Sequence, residues 1–171
     1  MKKVLLIVGL VASSVLTSYA QKFALIDMEY ILKNIPAYEM ANEQLNSISR
    51  RWQAEVEALQ LEAQNMYRAY QADIVFLSAE MRLKRETAII EKEKEAQELR
   101  RKYFGQDGEL FKRRESLIKP IQDEIYNAVK QISEEKGYAV IADRASASSI
   151  IFASPKIDVS NEVLAKLGYS K

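Results

Sequence analysis

The residues of this chain that could do chemistry are carboxylates, lysines, arginines and hydroxyls, because its 171 residues include no His and no Cys. That excludes imidazole general bases, thiol nucleophiles, zinc sites of the Cys/His type and disulfides. Carboxylate or lysine chemistry is all that remains. The densest carboxylates, Glu91, Glu93, Glu95 and Glu98, alternate with lysines along a highly charged stretch. This is the spacing of solubilising ion pairs on a helix, not of a metal site or an acid–base pair. No glycine-rich phosphate loop is present. The sequence therefore leads to no catalytic residue, no cofactor site and no metal site, and the protein is read as a non-enzyme.

Two other groupings could bind a partner. The first is a pair of basic runs, Arg100-Arg101-Lys102 and Lys112-Arg113-Arg114, with Tyr103, Phe104 and Phe111 beside them. From Arg100 to Lys119 there are seven basic and three acidic residues, while Asp27 to Glu62 carries three basic and seven acidic ones. Over the chain, 25 basic residues almost balance 24 acidic ones, so charge is segregated and not in excess. Such runs fit a solvated helix face paired with an antiparallel neighbour, and the balance argues against a nucleic-acid partner. The second grouping is Met66, Tyr67, Tyr70, Ile74, Val75, Phe76, Leu77 and Met81. Consecutive helical residues point 100° apart, so Ile74 to Leu77 cannot all face one seam. Some of these side chains pack a turn and the rest are left for a partner.

Several elements must position these groups. Lys2 and Lys3, the apolar run Val4 to Leu16 and the small-x-small step Ser18-Tyr19-Ala20 read as a signal peptide over residues 1–20. Lys22 to Met28 is apolar without a polar face and is expected to be a buried strand. A short helix is expected over Glu29 to Ile35, and Pro36 suits the first turn of a long one. There Leu45, Ile48, Trp52, Val56, Leu59, Ala63, Met66 and Tyr70 recur at steps of three and four, a narrow coiled-coil-like stripe. One helix to about Phe76 would be about 60 Å long. Ser78 is placed to cap a returning helix, on which Ile89, Ala96, Tyr103, Leu110 and Leu117 fall at strict sevens. The two would form an antiparallel hairpin with its tip near 73–80.

With five Gly and three Pro in the chain, each has weight. Gly105 and Gly108 are expected to soften the returning helix, and Pro120 to break or kink it near Ser116 to Lys119; these three are the candidate hinge. Beyond it, Ile121, Ile125, Ala128, Val129 and Ile132 make a broad apolar face that ends at Lys136-Gly137. Tyr138 to Asp143 and Ser149 to Ala153 are expected as a second and a third strand, and Ser160 as the cap of a closing helix through Leu167. The fold class is α+β: a small β-sheet body over 21–36 and 119–171, and a long antiparallel helical hairpin arm over 37–118. Three strands make a small core, which calls for completion by other subunits.

Taken together, the opening strand Phe23-Ala24-Leu25-Ile26-Asp27-Met28, the charged helical middle, Ala139-Val140-Ile141-Ala142-Asp143 and Ile157-Asp158-Val159-Ser160-Asn161-Glu162-Val163-Leu164 resemble the OmpH/Skp family of periplasmic chaperones. The resemblance implies a homotrimer whose body is built from strands of three subunits, with three coiled-coil arms around a cavity. It also implies a soluble protein of the periplasm of a Gram-negative bacterium. The implied function is an ATP-independent holdase that binds unfolded outer-membrane β-barrel proteins and keeps them soluble for delivery to the outer membrane. The alternative is a periplasmic structural or adaptor coiled coil for one folded partner. The client-binding candidates on arm and tip are Met66, Tyr70, Ile74, Val75, Phe76, Leu77, Met81, Arg82, Lys84 and Arg85. Those for the trimeric body are Phe23, Leu25, Ile26, Val140, Ile141, Ile150, Ile151 and Phe152. Family arm tips are basic, whereas Asp73 and Glu80 dilute Arg82, Lys84 and Arg85 here. Contact with anionic lipid or lipopolysaccharide is left open.

Overall fold

The computed structural model describes residues 22–147 and 150–169, so the segment read as a signal peptide, and Ser149 at the start of the expected third strand, lie outside it. The chain divides into two compact units, one up to Asn34 and from Ile125 onward, the other Ile35–Glu124.

In the first unit, strand β1 (Lys22–Ile26) pairs in parallel with β2 (Tyr138–Asp143), in the register Phe23 to Val140 through Ile26 to Asp143. Parallel strands cannot be joined by a tight turn. The long helices of the described residues accordingly lie between them in sequence. Ala24, Leu25 and Ile26 are buried, as are Ile31 and Leu32 of helix α1 (Met28–Lys33). Asp27 caps α1 by accepting from the Tyr30 N–H at 2.8 Å. Gly137 makes the turn into β2 with φ +70°, a left-handed conformation that costs a side-chain-bearing residue strain.

A polar knot closes the C-terminal ends of the strands. The Arg144 guanidinium reaches the carboxylates of Asp27, at 3.0 Å, and Asp158, at 3.5 Å. The Ser160 hydroxyl accepts from the Asp27 N–H at 2.8 Å and donates to Asp158 at 2.6 Å. Asp143 accepts from the N–H groups of Met28 and Ala145, both at 3.0 Å. Ser160 is therefore not the expected cap. It is the first residue of α5 (Ser160–Lys166), whose capping position is Val159. Its hydroxyl is already held by Asp27 and Asp158, and a capping oxygen would have to turn toward its own helix.

The third strand does not form. Ile150 to Ala153 is irregular, and Ile151 is 100% exposed. An apolar run becomes a strand only where an edge receives it, and among the described residues the sheet has two strands.

The second unit holds α2 (Pro36–Asp73), a 3₁₀ turn at Ile74–Phe76, α3 (Ala79–Phe104) and the start of α4 (Glu109–Lys136). Ile74 to Phe76 thus leave the long helix that the sequence assigns them to. Pro36 occupies the first turn of α2, and the Ser78 hydroxyl caps α3 by accepting from the Met81 N–H. The seam buries Leu45, Val56, Ala63 and Tyr70 of α2 and Ile89 and Ala96 of α3. Trp52 and Tyr103 stack across it with ring centres 4.6 Å apart, and the Tyr103 hydroxyl donates to Glu55.

The interruption expected at Pro120 falls elsewhere. Helix α4 runs unbroken through Pro120, which sits on an exposed face where the carbonyl it deprives of a partner can be solvated. The break is at Gly105–Gly108. A Cβ on Gly105 would lie 2.4 Å from the Arg101 carbonyl oxygen, and one on Gly108 2.8 Å from that of Tyr103. Backbone atoms cannot give way as the end of a side chain can, so both positions require Gly.

Asp143 ties β2 to the start of α1, and its ionisation follows from that. Burial alone would raise its pKa, but hydrogen bonds from the Met28 N–H, the Ser146 hydroxyl and the Ala145 and Ser146 N–H groups outweigh it and hold the carboxyl below its ordinary value. A depressed folded-state pKa adds stability that is full above the unfolded value and lost as pH falls through the folded one. The stability advantage of the wild type over Asp143→Ala, measured by urea denaturation, is expected to be complete at neutral pH and to shrink below about pH 4. An advantage independent of pH would contradict this assignment.

Candidate functional site

Two helices in antiparallel contact bury one seam and leave the remaining faces in solvent, so what a hairpin offers a partner depends on its tip and flanks. At the tip Tyr70, Leu77 and Ile89 form a buried cluster, with Met66 and Ile74 packed against it. The Tyr70 hydroxyl donates to the Glu86 carboxylate, and that hydrogen bond, followed by burial, raises the tyrosine pKa.

Polar ties hold the turn above this cluster. The Arg85 guanidinium meets Asp73 at 2.7 Å, and the Arg82 Nε donates to the Leu77 carbonyl at 3.2 Å. Half-exposed pairs of this kind contribute about 0.2–1 kcal/mol each. Their effect is mainly geometric, since they fix the 3₁₀ turn so that Val75 and Phe76 point outward, 73% and 85% exposed.

The tip candidates thus separate into two sets. Tyr70 and Leu77 are buried, with the partly buried Met66 and Ile74 packed beside them, and these four hold the hairpin together. Val75, Phe76 and Met81 remain exposed. Of the cations, Arg82 and Arg85 are engaged within the tip, and Lys84 is exposed. The sequence reading does not single out Leu61, Leu83 and Ile90, which are also exposed apolar residues of this unit. The signal was available, since the stripe at steps of three and four leaves all three off the seam.

Along the hairpin the charges pair only in part. Lys92 bridges to Glu62 across the helices at 3.3 Å and to Glu95 within its own at 2.9 Å, and Lys94 lies 3.9 Å from Glu98. The basic runs stay in solvent, where Lys102 sits 5.9 Å from the centre of the Tyr103 ring and Lys112 pairs with Glu109. Among the described residues no group of three or more potential ligands is placed to hold a metal. No described helix is long and apolar enough to cross a membrane.

In the first unit the body candidates also separate. Leu25 and Ile26 belong to the chain's own core, and Ile141 and Ile150 are half-buried. Phe23 and Val140, which are register partners, are exposed on the sheet, and Ile151 and Phe152 are exposed on the irregular segment after β2.

Comparison with known proteins agrees with this architecture. A family model described as outer membrane protein (OmpH-like) matches residues 22–167. The chaperone protein Skp of Yersinia enterocolitica is 26% identical over 158 residues, spanning 91% of this chain and 92% of that protein. A crystal structure from Caulobacter crescentus, described as an OmpH-like outer membrane chaperone, superposes with a TM-score of 0.68 at 14% identity. It covers 88% of this chain and 86% of that one, which shows a shared fold.

The division of the tip has a direct test. Leu77→Ser removes a side chain that is 8% exposed and places a hydroxyl in the cluster. It is expected to destabilise the protein by about 2–4 kcal/mol in chemical denaturation. Phe76→Ser, at the exposed neighbour, is expected to stay within about 0.5 kcal/mol of wild type. Equal losses would show that the turn packs both residues.

Proposed function

The chain belongs to the OmpH-like outer membrane protein family, a family of chaperones that includes Skp, and from this we propose that it is an ATP-independent holdase of the periplasm. Its clients are unfolded outer-membrane β-barrel proteins, which it keeps soluble until they insert. The observation that carries this reading is the apolar tip: Val75 and Phe76 are held in solvent by a turn that is itself tied down by Arg82 and Arg85. Large apolar side chains held out of a packed seam favour contact with other apolar surface.

Unfolded barrel strands carry alternating apolar residues and unpaired backbone groups. A surface with a few separate apolar contacts binds such a chain weakly at each point, and linkage of the points supplies the affinity. No bound nucleotide is required, because release needs only the loss of weak contacts one at a time. With Arg82 and Arg85 engaged inside the tip, apolar contact outweighs charge in this reading.

Assembly supplies the other half. The outer edge of β2 has no partner strand among the described residues, and Phe23 and Val140 expose an apolar pair on the sheet. An open edge beside exposed apolar residues is an aggregation hazard unless covered. Three copies of the chain would cover it, with Ile150, Ile151 and Phe152 of one copy taken up by the body of the next. In that arrangement the hairpin within Ile35–Glu124 serves as the arm, and the break at Gly105–Gly108 lets arms adjust to clients of different size.

The test is the mass of the chain from Gln21 onward, together with its suppression of aggregation when an unfolded barrel protein is diluted from urea without nucleotide. A trimeric mass and suppression by wild type are expected. The double variant Val75→Ser with Phe76→Ser should keep the mass and lose most of the suppression. Wild type that leaves aggregation unchanged would overturn the holdase reading.

A further inference from the structure

The two flanks of the hairpin are built differently. One is closed by ion pairs across the helices, Arg85 to Asp73 and Lys92 to Glu62, over a small apolar pocket that includes Met66, Ala69 and Ala88. The other is an open groove of about 680 Å³ whose floor is the buried pair Ala63 and Ala96. Small residues at the seam keep this floor low. Its walls are Gln60, Gln64 and Tyr67 on α2 and Glu93 and Gln97 on α3.

Three properties set the groove apart. At 100° per residue, the exposed apolar residues Leu61, Tyr67, Leu83 and Ile90 all fall on the groove's side of the seam. The carboxamides of Gln60, Gln64 and Gln97 form no hydrogen bond within the chain among the described residues, so each offers a donor and an acceptor. The charges in the groove are negative: Glu57, which accepts only from the Gln53 amide, and Glu93, whose neighbours Lys92 and Lys94 pair with other carboxylates and which forms no ion pair among the described residues. No Lys or Arg lines it.

We infer that this flank is the client-facing side of the arm, and that its occupant is an extended, unfolded polypeptide segment carrying basic side chains. The chemistry matches at each level. An extended segment presents backbone N–H and C=O groups that carboxamides can satisfy, side chains that can lie on Tyr67 and Leu61, and cations that complement Glu57 and Glu93. The opposite flank has already used its charges on itself. This inference rests on the holdase reading and adds to it the face and the kind of segment bound.

The experiment places a photo-crosslinking residue at Gln64 or Gln97 in the groove, or at Ala69 or Ala88 on the opposite flank, in the chain from Gln21 onward. Each variant meets an unfolded barrel protein diluted from urea. Yields several times higher from Gln64 and Gln97 are expected. Equal or higher yields from Ala69 and Ala88, with aggregation still suppressed, would overturn the choice of face and leave the holdase reading standing. Loss of suppression by the unsubstituted chain would instead remove that reading. For the charge preference, Glu57→Gln with Glu93→Gln should weaken binding of a lysine-bearing unfolded peptide roughly threefold at low salt, and strengthen that of a glutamate-bearing one. The same change for both peptides would overturn the electrostatic part.

Discussion

The parallel pairing of β1 with β2 is the constraint on which the rest of the structure depends. Two parallel neighbours must be joined by a crossover, and here the crossover contains the entire helical hairpin. Leu25 and Ile26 can be buried only when β2 arrives, so the core of the first unit waits on residues more than a hundred positions later in the chain. Gly137 turns the end of α4 into β2, and the knot of Asp27, Asp143, Arg144, Asp158 and Ser160 then fixes the ends of the strands against the closing helix. The sheet that results is small and has an open edge, which is why assembly is part of the proposed function.

Within the hairpin the governing limit is the width of one seam. Leu45, Val56, Ala63, Tyr70, Ile89 and Ala96 occupy its centre, with Trp52 and Tyr103 stacked across it, and one seam has room for only part of the apolar side chains. A helix rich in Leu, Ile, Met and aromatic residues then has a surplus, seen at Leu61, Tyr67, Val75, Phe76, Leu83 and Ile90. In a compact domain such a surplus would be buried by a third layer. A hairpin has none, and its polar straps keep the exposed groups from collapsing onto one another. Stability and the proposed binding therefore draw on different residues of one helix pair, with Leu77 buried for the first and Phe76 exposed for the second.

Much of this was legible in the sequence. Tyr138–Asp143 reads as a strand because a short apolar run follows a Lys-Gly stop, and Ser78 reads as a cap because a hydroxyl precedes a returning stripe. Two of the features that misled share a cause, namely that what decides each lies far away in the sequence. Ser160 has the right chemistry for a cap, but Asp27, far away in sequence, takes its oxygen. Ile150 to Phe152 have strand propensity but pair with neither strand of the sheet. Pro120 is tolerated because it meets solvent, whereas Gly105 and Gly108 interrupt the helix because backbone occupies the space a Cβ would need. Which tip residues are buried depended on a 3₁₀ turn that periodicity does not reveal, and the difference between the flanks depended on which cations cross the seam.

The proposed holdase holds its client as an unfolded chain through many weak contacts and does not recognise a folded surface. The most direct measurement is the amide NMR spectrum of an isotopically labelled outer-membrane barrel protein bound to unlabelled chaperone. A soluble complex is expected in which the client amides keep the narrow chemical-shift dispersion of an unfolded chain. Wide, sheet-like dispersion in the bound client, or a complex that forms only with one prefolded partner, would contradict it.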